Sequence, residues 1–183
     1  MSGVTFGDIF FIVMVGGGIY LILFLVNRSR SVRLPKEPST TDIITDDTLL
    51  SILSESRTIA LVGASSNPAR PSHQVLDYLL REGYTVFPVN PREENILGQP
   101  VFESLDDLPR SPDIVDVFRS PEHVPDIARQ AAAIKAKVLW LQEGVVSSEG
   151  LDIARSAGMS VVMDRCVRKE HRRLVSGRSD AGA

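Results

Sequence analysis

The sequence predicts an α/β fold with a five-stranded parallel sheet flanked by helices. Three observations predict it. Short apolar runs at 59–62, 85–89, 114–118, 138–141 and 160–163 are separated by stretches with helical spacing, the pattern of βαβ units. The run Ile-Ala-Leu-Val from 59 breaks at Gly63 into small and polar residues, and a helix pattern starts near Ser72. Strand, glycine turn and helix is how such folds set backbone N–H groups and a helix N-terminus against a phosphate. Finally, 43% hydrophobic and 23% charged residues in a chain of 183 describe a globular protein with room for one ordinary domain and extras.

The chain begins with an exception to that pattern. Residues 9–26 run for eighteen positions without a charge, a length that just spans a bilayer core. Arg28, Arg30 and Arg33 follow at once and no Lys or Arg precedes. The expectation is a single N-terminal transmembrane helix, residues 1–33 being anchor and basic flank, with the C-terminal domain cytoplasmic. The basic cluster lies on the wrong side for a secretory signal peptide. The competing expectation is a cytoplasmic protein with a misassigned start. Only Met1 and Met14 precede the first strand of the main domain.

Residues 34–45 read as a linker, with Pro35, Pro38, Ser39, Thr40 and Thr41. The main domain is expected over 46–175, with a frayed tail at 176–183. Thr45 or Asp46 can cap a helix over 47–55, whose apolar face carries Leu49, Leu50, Ile52 and Leu53. Later helices are expected near 72–82, stopped by Gly83, near 124–134, started by Ser120-Pro121-Glu122, near 148–157, with Gly158 as cap, and near 167–174. The pair Asp106-Asp107 reads as a helix start rather than an acid/base pair.

Ligands of parallel sheets lie at the carboxyl ends of the strands. Polar residues gather at all five ends here, from Gly63-Ala-Ser-Ser to Asp164-Arg-Cys. The first turn lacks the three glycines of a dinucleotide fingerprint and the Gly-Lys-Ser/Thr of a Walker loop. It offers instead the hydroxyls of Ser65, Ser66 and Ser72 and the guanidinium of Arg70. NAD enzymes place a carboxylate after the second strand to bond the ribose. This chain has Asn90-Pro91-Arg92, which disfavours NAD and favours a phosphorylated ribose, as in NADP or coenzyme A.

Other chemistry finds little support. His73, His123 and His171 have no zinc spacing, and the lone Cys166 has no partner motif and reads as a buried structural residue. Arg168, Lys169, Arg172 and Arg173 make a basic helix face of the kind that is most often solvated. A net charge of −3 gives no basis for nucleic acid as a partner. One cysteine excludes a disulfide framework within the chain. No catalytic or metal-binding set is expected.

Six blocks carry a family resemblance: Ile-Ala-Leu-Val-Gly-Ala-Ser-Ser-Asn-Pro from 59, Gly-Tyr-Thr-Val-Phe-Pro-Val-Asn-Pro from 83, Ile-Leu-Gly-Gln-Pro-Val from 96, Asp-Ile-Val-Asp-Val-Phe-Arg from 113, Trp-Leu-Gln-Glu-Gly-Val from 140, and Val-Met-Asp-Arg-Cys from 162. With them, 59–174 resembles the stand-alone CoA-binding domain proteins, similar to the N-terminal domain of the succinyl-CoA synthetase alpha subunit. The resemblance implies a Rossmann-like CoA-binding fold with coenzyme A or an acyl-CoA as ligand. It implies that Gly63, Ala64, Ser65, Ser66, Asn67, Arg70 and Ser72 hold the pyrophosphate, and that Asn90, Pro91 and Arg92 border the adenosine end. Phe118, Arg119 and Ser120 would close the third-strand edge, and Gln142, Glu143 and Gly144 would line the far side. The synthetase keeps its phosphorylated histidine in a second domain, which the residues after Leu174 do not match, so its reaction is not carried over. The apolar N-terminus is also outside the family pattern.

The resulting expectation is a non-catalytic CoA binder at the cytoplasmic membrane face, serving as sensor, carrier or regulatory module, with its protein partner open. The alternatives are an NADP-dependent oxidoreductase using the same crevice and an interaction module with a vestigial pocket.

Overall fold

The computed structural model describes residues 13–15, 18–20 and 44–177. The chain divides into two compact units, Met1–Thr40 and Thr41–Ala183.

In the first unit, β1 (Val13–Val15) and β2 (Gly18–Tyr20) pair antiparallel, with Val13 opposite Tyr20 and Val15 opposite Gly18. This corrects the expected transmembrane helix at those six positions. The remainder of the apolar run, the arginine flank and most of the linker lie outside the described residues. The physical reason is legible in the residues. Val, Ile and Tyr favour strands, glycine is costly inside a helix, and Gly-Gly between apolar runs is a hairpin sequence. Among the described residues no helix is long and apolar enough to cross a membrane.

The second unit begins with α1 (Asp46–Glu55), where the Thr45 side chain accepts a hydrogen bond from the Thr48 amide at 3.2 Å. The order continues β3 (Thr58–Val62), α2 (Pro71–Arg81), β4 (Thr85–Val89), a small antiparallel pair β5 (Asn95–Ile96) and β6 (Gln99–Pro100), then β7 (Ile114–Val117). It ends with α3 (Val124–Ala133), β8 (Val138–Leu141), α4 (Ser148–Ser156), β9 (Ser160–Val162) and α5 (Val167–His171). The helix expected to run to 174 instead changes to a π-helical turn at Arg172–Ser176, in which Leu174 stays buried. The expected frayed tail lies mostly outside the described residues. Gly158 stands one residue past the cap of α4 with φ +80° rather than at the cap itself.

Five strands form one parallel sheet in the order β4-β3-β7-β8-β9. All residues of β3, β7 and β8 are buried, because helices cover both faces. One face carries Ile59, Leu61, Ile114 and Trp140 in a core with Leu49, Leu53, Leu76, Leu79 and Val167 from α1, α2 and α5. The other carries Ala60, Val115, Val117 and Leu139 in a core with Val124, Ile127, Ala128 and Ala154 from α3 and α4. Each fully buried leucine contributes about 1.5–3 kcal/mol relative to an exposed one. The α3/α4 crossing depends on Gly150, since a Cβ there would sit 2.5 Å from Val124 Cγ1. Its φ is ordinary, so the requirement is space.

After β3 the chain returns through α2 on one face to β4. It then crosses to the other side of β3 to lay down β7, and α3 covers the opposite face. Strand order therefore reverses between β3 and β7. A sheet of this order takes its ligand in the crevice at that reversal, outside the strands' carboxyl ends.

Candidate functional site at the carboxyl edge of the sheet

The crevice is built around Gly63, the first residue after β3. Its φ is +88°, and a Cβ there would lie 3.0 Å from Phe118 O and 3.1 Å from Arg119 Cδ. Glycine thus serves both the turn and the close approach of two loops. The Gly63 amide donates to Val89 O at 2.9 Å, and the Phe118 amide donates to Val62 O at 2.8 Å. Three strand ends are tied together at Val62 and Gly63.

The loop 63–70 is held from within and from the β4 end. The Asn90 side-chain amide donates to Ala64 O at 2.7 Å, and its Oδ1 accepts from the Arg92 amide at 3.0 Å. The Asn67 amide donates to Ser65 Oγ at 3.2 Å, and Asn67 Oδ1 accepts from the Ala69 amide at 2.9 Å. His73 Nδ1 lies 3.0 Å from Ser65 O, fixing the loop to the first turn of α2. Pro71 is the first helical residue of α2, and Arg70 at the cap makes no side-chain capping bond. The free amides at that N-terminus form the positive end of the helix dipole. Ser72 is buried.

Charge at this edge is mixed, with Glu93, Glu94 and Glu122 on the same segments as three arginines. Arg70, Arg92 and Arg119 are all exposed. Among the described residues none of the three forms an ion pair. Ser120 Oγ donates to Glu122 Oε1 at 2.5 Å instead of facing the loop. Guanidinium groups outside ion pairs, beside a turn of backbone amides, are a setting for a phosphorylated ligand.

The fourth strand end is built differently. Gln142 is buried, and its Nε2 donates inward to Asp116 Oδ1 at 2.7 Å. Glu143 is exposed and paired with Lys169 at 2.8 Å. Gly144 has φ +80°, and its amide donates to Asp164 Oδ1 at 2.8 Å. The structure ties Gly63, Ala64, Asn90, Phe118 and Arg119 into one unit, whereas the polar groups of Gln142, Glu143 and Gly144 bond to other partners. Pro91 is exposed in the turn that carries Arg92.

Sequence reasoning passed over one residue that takes part and one that lies buried beneath the edge. Glu93 Oε1 accepts from both the amide and the hydroxyl of Ser66 at 3.0 Å. Those donors hold the Glu93 carboxyl below the usual range, with the backbone amide the larger cause. A carboxylate thus does reach the glycine loop, from beyond the position searched for an NAD-type acid. Asp116, in the middle of β7, is fully buried, and its Oδ2 has no hydrogen-bond partner among the described residues. Burial pushes its pKa up to about 7 against the opposing bond from Gln142. The signal was an acid inside Ile-Val-Asp-Val, a strand covered on both faces.

Such a crevice, on such a sheet, defines a nucleotide-type binding fold, and comparison with known proteins supplies the family. The CoA binding domain family matches residues 57–172, and the chain belongs to it. It is similar to the uncharacterized protein YneT of Bacillus subtilis, 38% identical over 120 residues covering 66% of this chain and 89% of that protein. It is also similar to the alpha subunit of acetate–CoA ligase (ADP-forming) II of Pyrococcus furiosus, 26% identical over 61% of this chain. The match spans only 27% of that subunit. Among solved structures, a hypothetical protein from Pyrococcus horikoshii superimposes with TM-score 0.72 at 38% identity, covering 78% of this chain and 99% of that one.

Proposed function

We propose that this chain binds coenzyme A or an acyl-CoA in the crevice between β3 and β7. The carrying observation is the junction of Gly63 with Phe118 and Arg119 at the strand-order reversal, in a member of the CoA binding domain family. The loop 63–72 faces the pyrophosphate, and Arg70, Arg92 and Arg119, in no ion pair among the described residues, supply charge for three phosphate groups. Arg92, at the β4 end, is the candidate for the phosphorylated ribose.

Binding without catalysis is the second part of the proposal. It is supported by what the histidines do. His73 is bonded to a loop carbonyl, and His171 is buried against Tyr78 Oη at 2.8 Å in the core. A sensor, carrier or regulatory role fits a site whose polar groups hold loops rather than face a reacting centre. Membrane association of the N-terminal unit rests on the sequence of residues 9–33 alone, and fractionation of the full-length chain tests it.

Calorimetry on the full-length chain is the direct test. Saturable binding of coenzyme A, competed weakly by NADP, supports the proposal. Binding of NADP without coenzyme A would favour an oxidoreductase instead.

A further inference from the structure

We infer that Glu93 is a built-in anion competitor in this crevice, and thereby sets how tightly a phosphorylated ligand is held. The inference rests on the CoA-binding reading and adds a residue that works against the ligand.

The geometry is specific. One carboxylate oxygen, Glu93 Oε1, takes the Ser66 amide and the Ser66 hydroxyl together, each at 3.0 Å. A backbone N–H beside a serine hydroxyl after a β-strand is a donor pair suited to a phosphate oxygen. The carboxylate occupies that pair.

Charge pairing does not account for the choice. Arg70, Arg92 and Arg119 lie on the three strand-end segments around Ser66, and none is taken up by an acid among the described residues. Glu93 bonds the serine rather than forming an ion pair with any of the three. Its turn is anchored separately, with the Glu93 amide donating to Asn90 O at 3.3 Å and Asn90 holding Ala64 O at 2.7 Å. Asn90 therefore keeps the turn in place when the carboxylate swings away. A ligand phosphate arriving at Ser66 must displace Glu93 and then lie beside it, and both effects oppose binding.

The neighbouring Glu94 provides an internal control. It is exposed, carries the same charge, and its side chain makes no bond among the described residues. The experiment is calorimetric titration of coenzyme A into the full-length wild type, Glu93→Gln and Glu94→Gln. Glu93→Gln is expected to bind about tenfold tighter than wild type, the effect of removing one like charge beside an anion in a solvated site. Glu94→Gln is expected to change affinity far less. Glu93→Gln binding equal to or weaker than wild type, or an equal gain from Glu94→Gln, overturns the inference while leaving the CoA site standing. Absence of coenzyme A binding by all three proteins overturns the site and the inference together.

Discussion

The two edges of the central sheet use the same kinds of residue to opposite ends. At the amino edge, Asp113 accepts from the Arg57 amide at 2.9 Å, the Thr58 amide at 3.0 Å and the Thr58 hydroxyl at 2.9 Å, and pairs with Lys137 at 2.7 Å. Its burial opposes ionisation, but those four partners outweigh it and hold the carboxyl far below the ordinary range. At the carboxyl edge, Arg70, Arg92 and Arg119 form no ion pair among the described residues, and the carboxylates of Glu93 and Glu122 each bond a serine instead. Polar groups at one edge satisfy one another and stabilise the fold. At the other, hydrogen bonds hold the loops, and Arg70, Arg92 and Arg119 are exposed along an open edge, outside any ion pair among the described residues.

Asp116 sits between the edges and belongs to neither, so it gives the largest expected effect. Its folded pKa, about 7, lies above the unfolded value of 3.8. The folded state therefore binds more protons between those values, and stability is lost as pH rises through that window. Denaturant unfolding of wild type and Asp116→Asn should show the variant gaining several kcal/mol on wild type between about pH 4 and about pH 8. Comparing the two proteins cancels His171, whose lowered pKa acts in the opposite sense. A gap that does not move with pH would show that Asp116 is ionised and compensated in the fold.

The next effect is at the junction itself. Gly63→Val meets both a positive φ and the Phe118 carbonyl at 3.0 Å, and should cost about 3 kcal/mol by thermal or denaturant melting. It should also abolish ligand binding. Asp113→Ala strips the amino edge of its acceptor and should cost about 2 kcal/mol, with coenzyme A affinity unchanged. That pair of results separates the edges. Loss of ligand affinity in Asp113→Ala would erase the distinction.

The smallest effects on stability come from the open edge. Arg70→Ala, Arg92→Ala and Arg119→Ala should leave the melting temperature within experimental scatter. Each should weaken coenzyme A binding by about tenfold, the loss of one charge-assisted contact. A fall in melting temperature would mark the arginine as structural.

The sheet was legible because parallel strands covered on both faces read as short apolar runs, and β4 and β8 match their expected bounds. The small β5/β6 pair was not. Its strands are two residues each, and Leu97 between them carries φ +53°, which no periodicity announces. At six positions of the N-terminal run, length and apolarity speak for a helical span, whereas strand propensity decides the local backbone at Val13–Val15 and Gly18–Tyr20. At the site, the turn at Gly63 was visible from residue types. Glu93 was not, because its role depends on a turn at Asn90 that carries it back across the crevice. Gln142 looked available in sequence, but a buried acid one strand away claims its amide.

The claim that the open edge is a coenzyme A site is tested most directly by titrating coenzyme A into wild type, Arg92→Ala and Asp113→Ala in one calorimetric series. The account predicts saturable one-to-one binding, weakened by the change at the carboxyl edge and untouched by the change at the amino edge. No heat from coenzyme A or acyl-CoA at millimolar concentration, or equal loss in both variants, would contradict it.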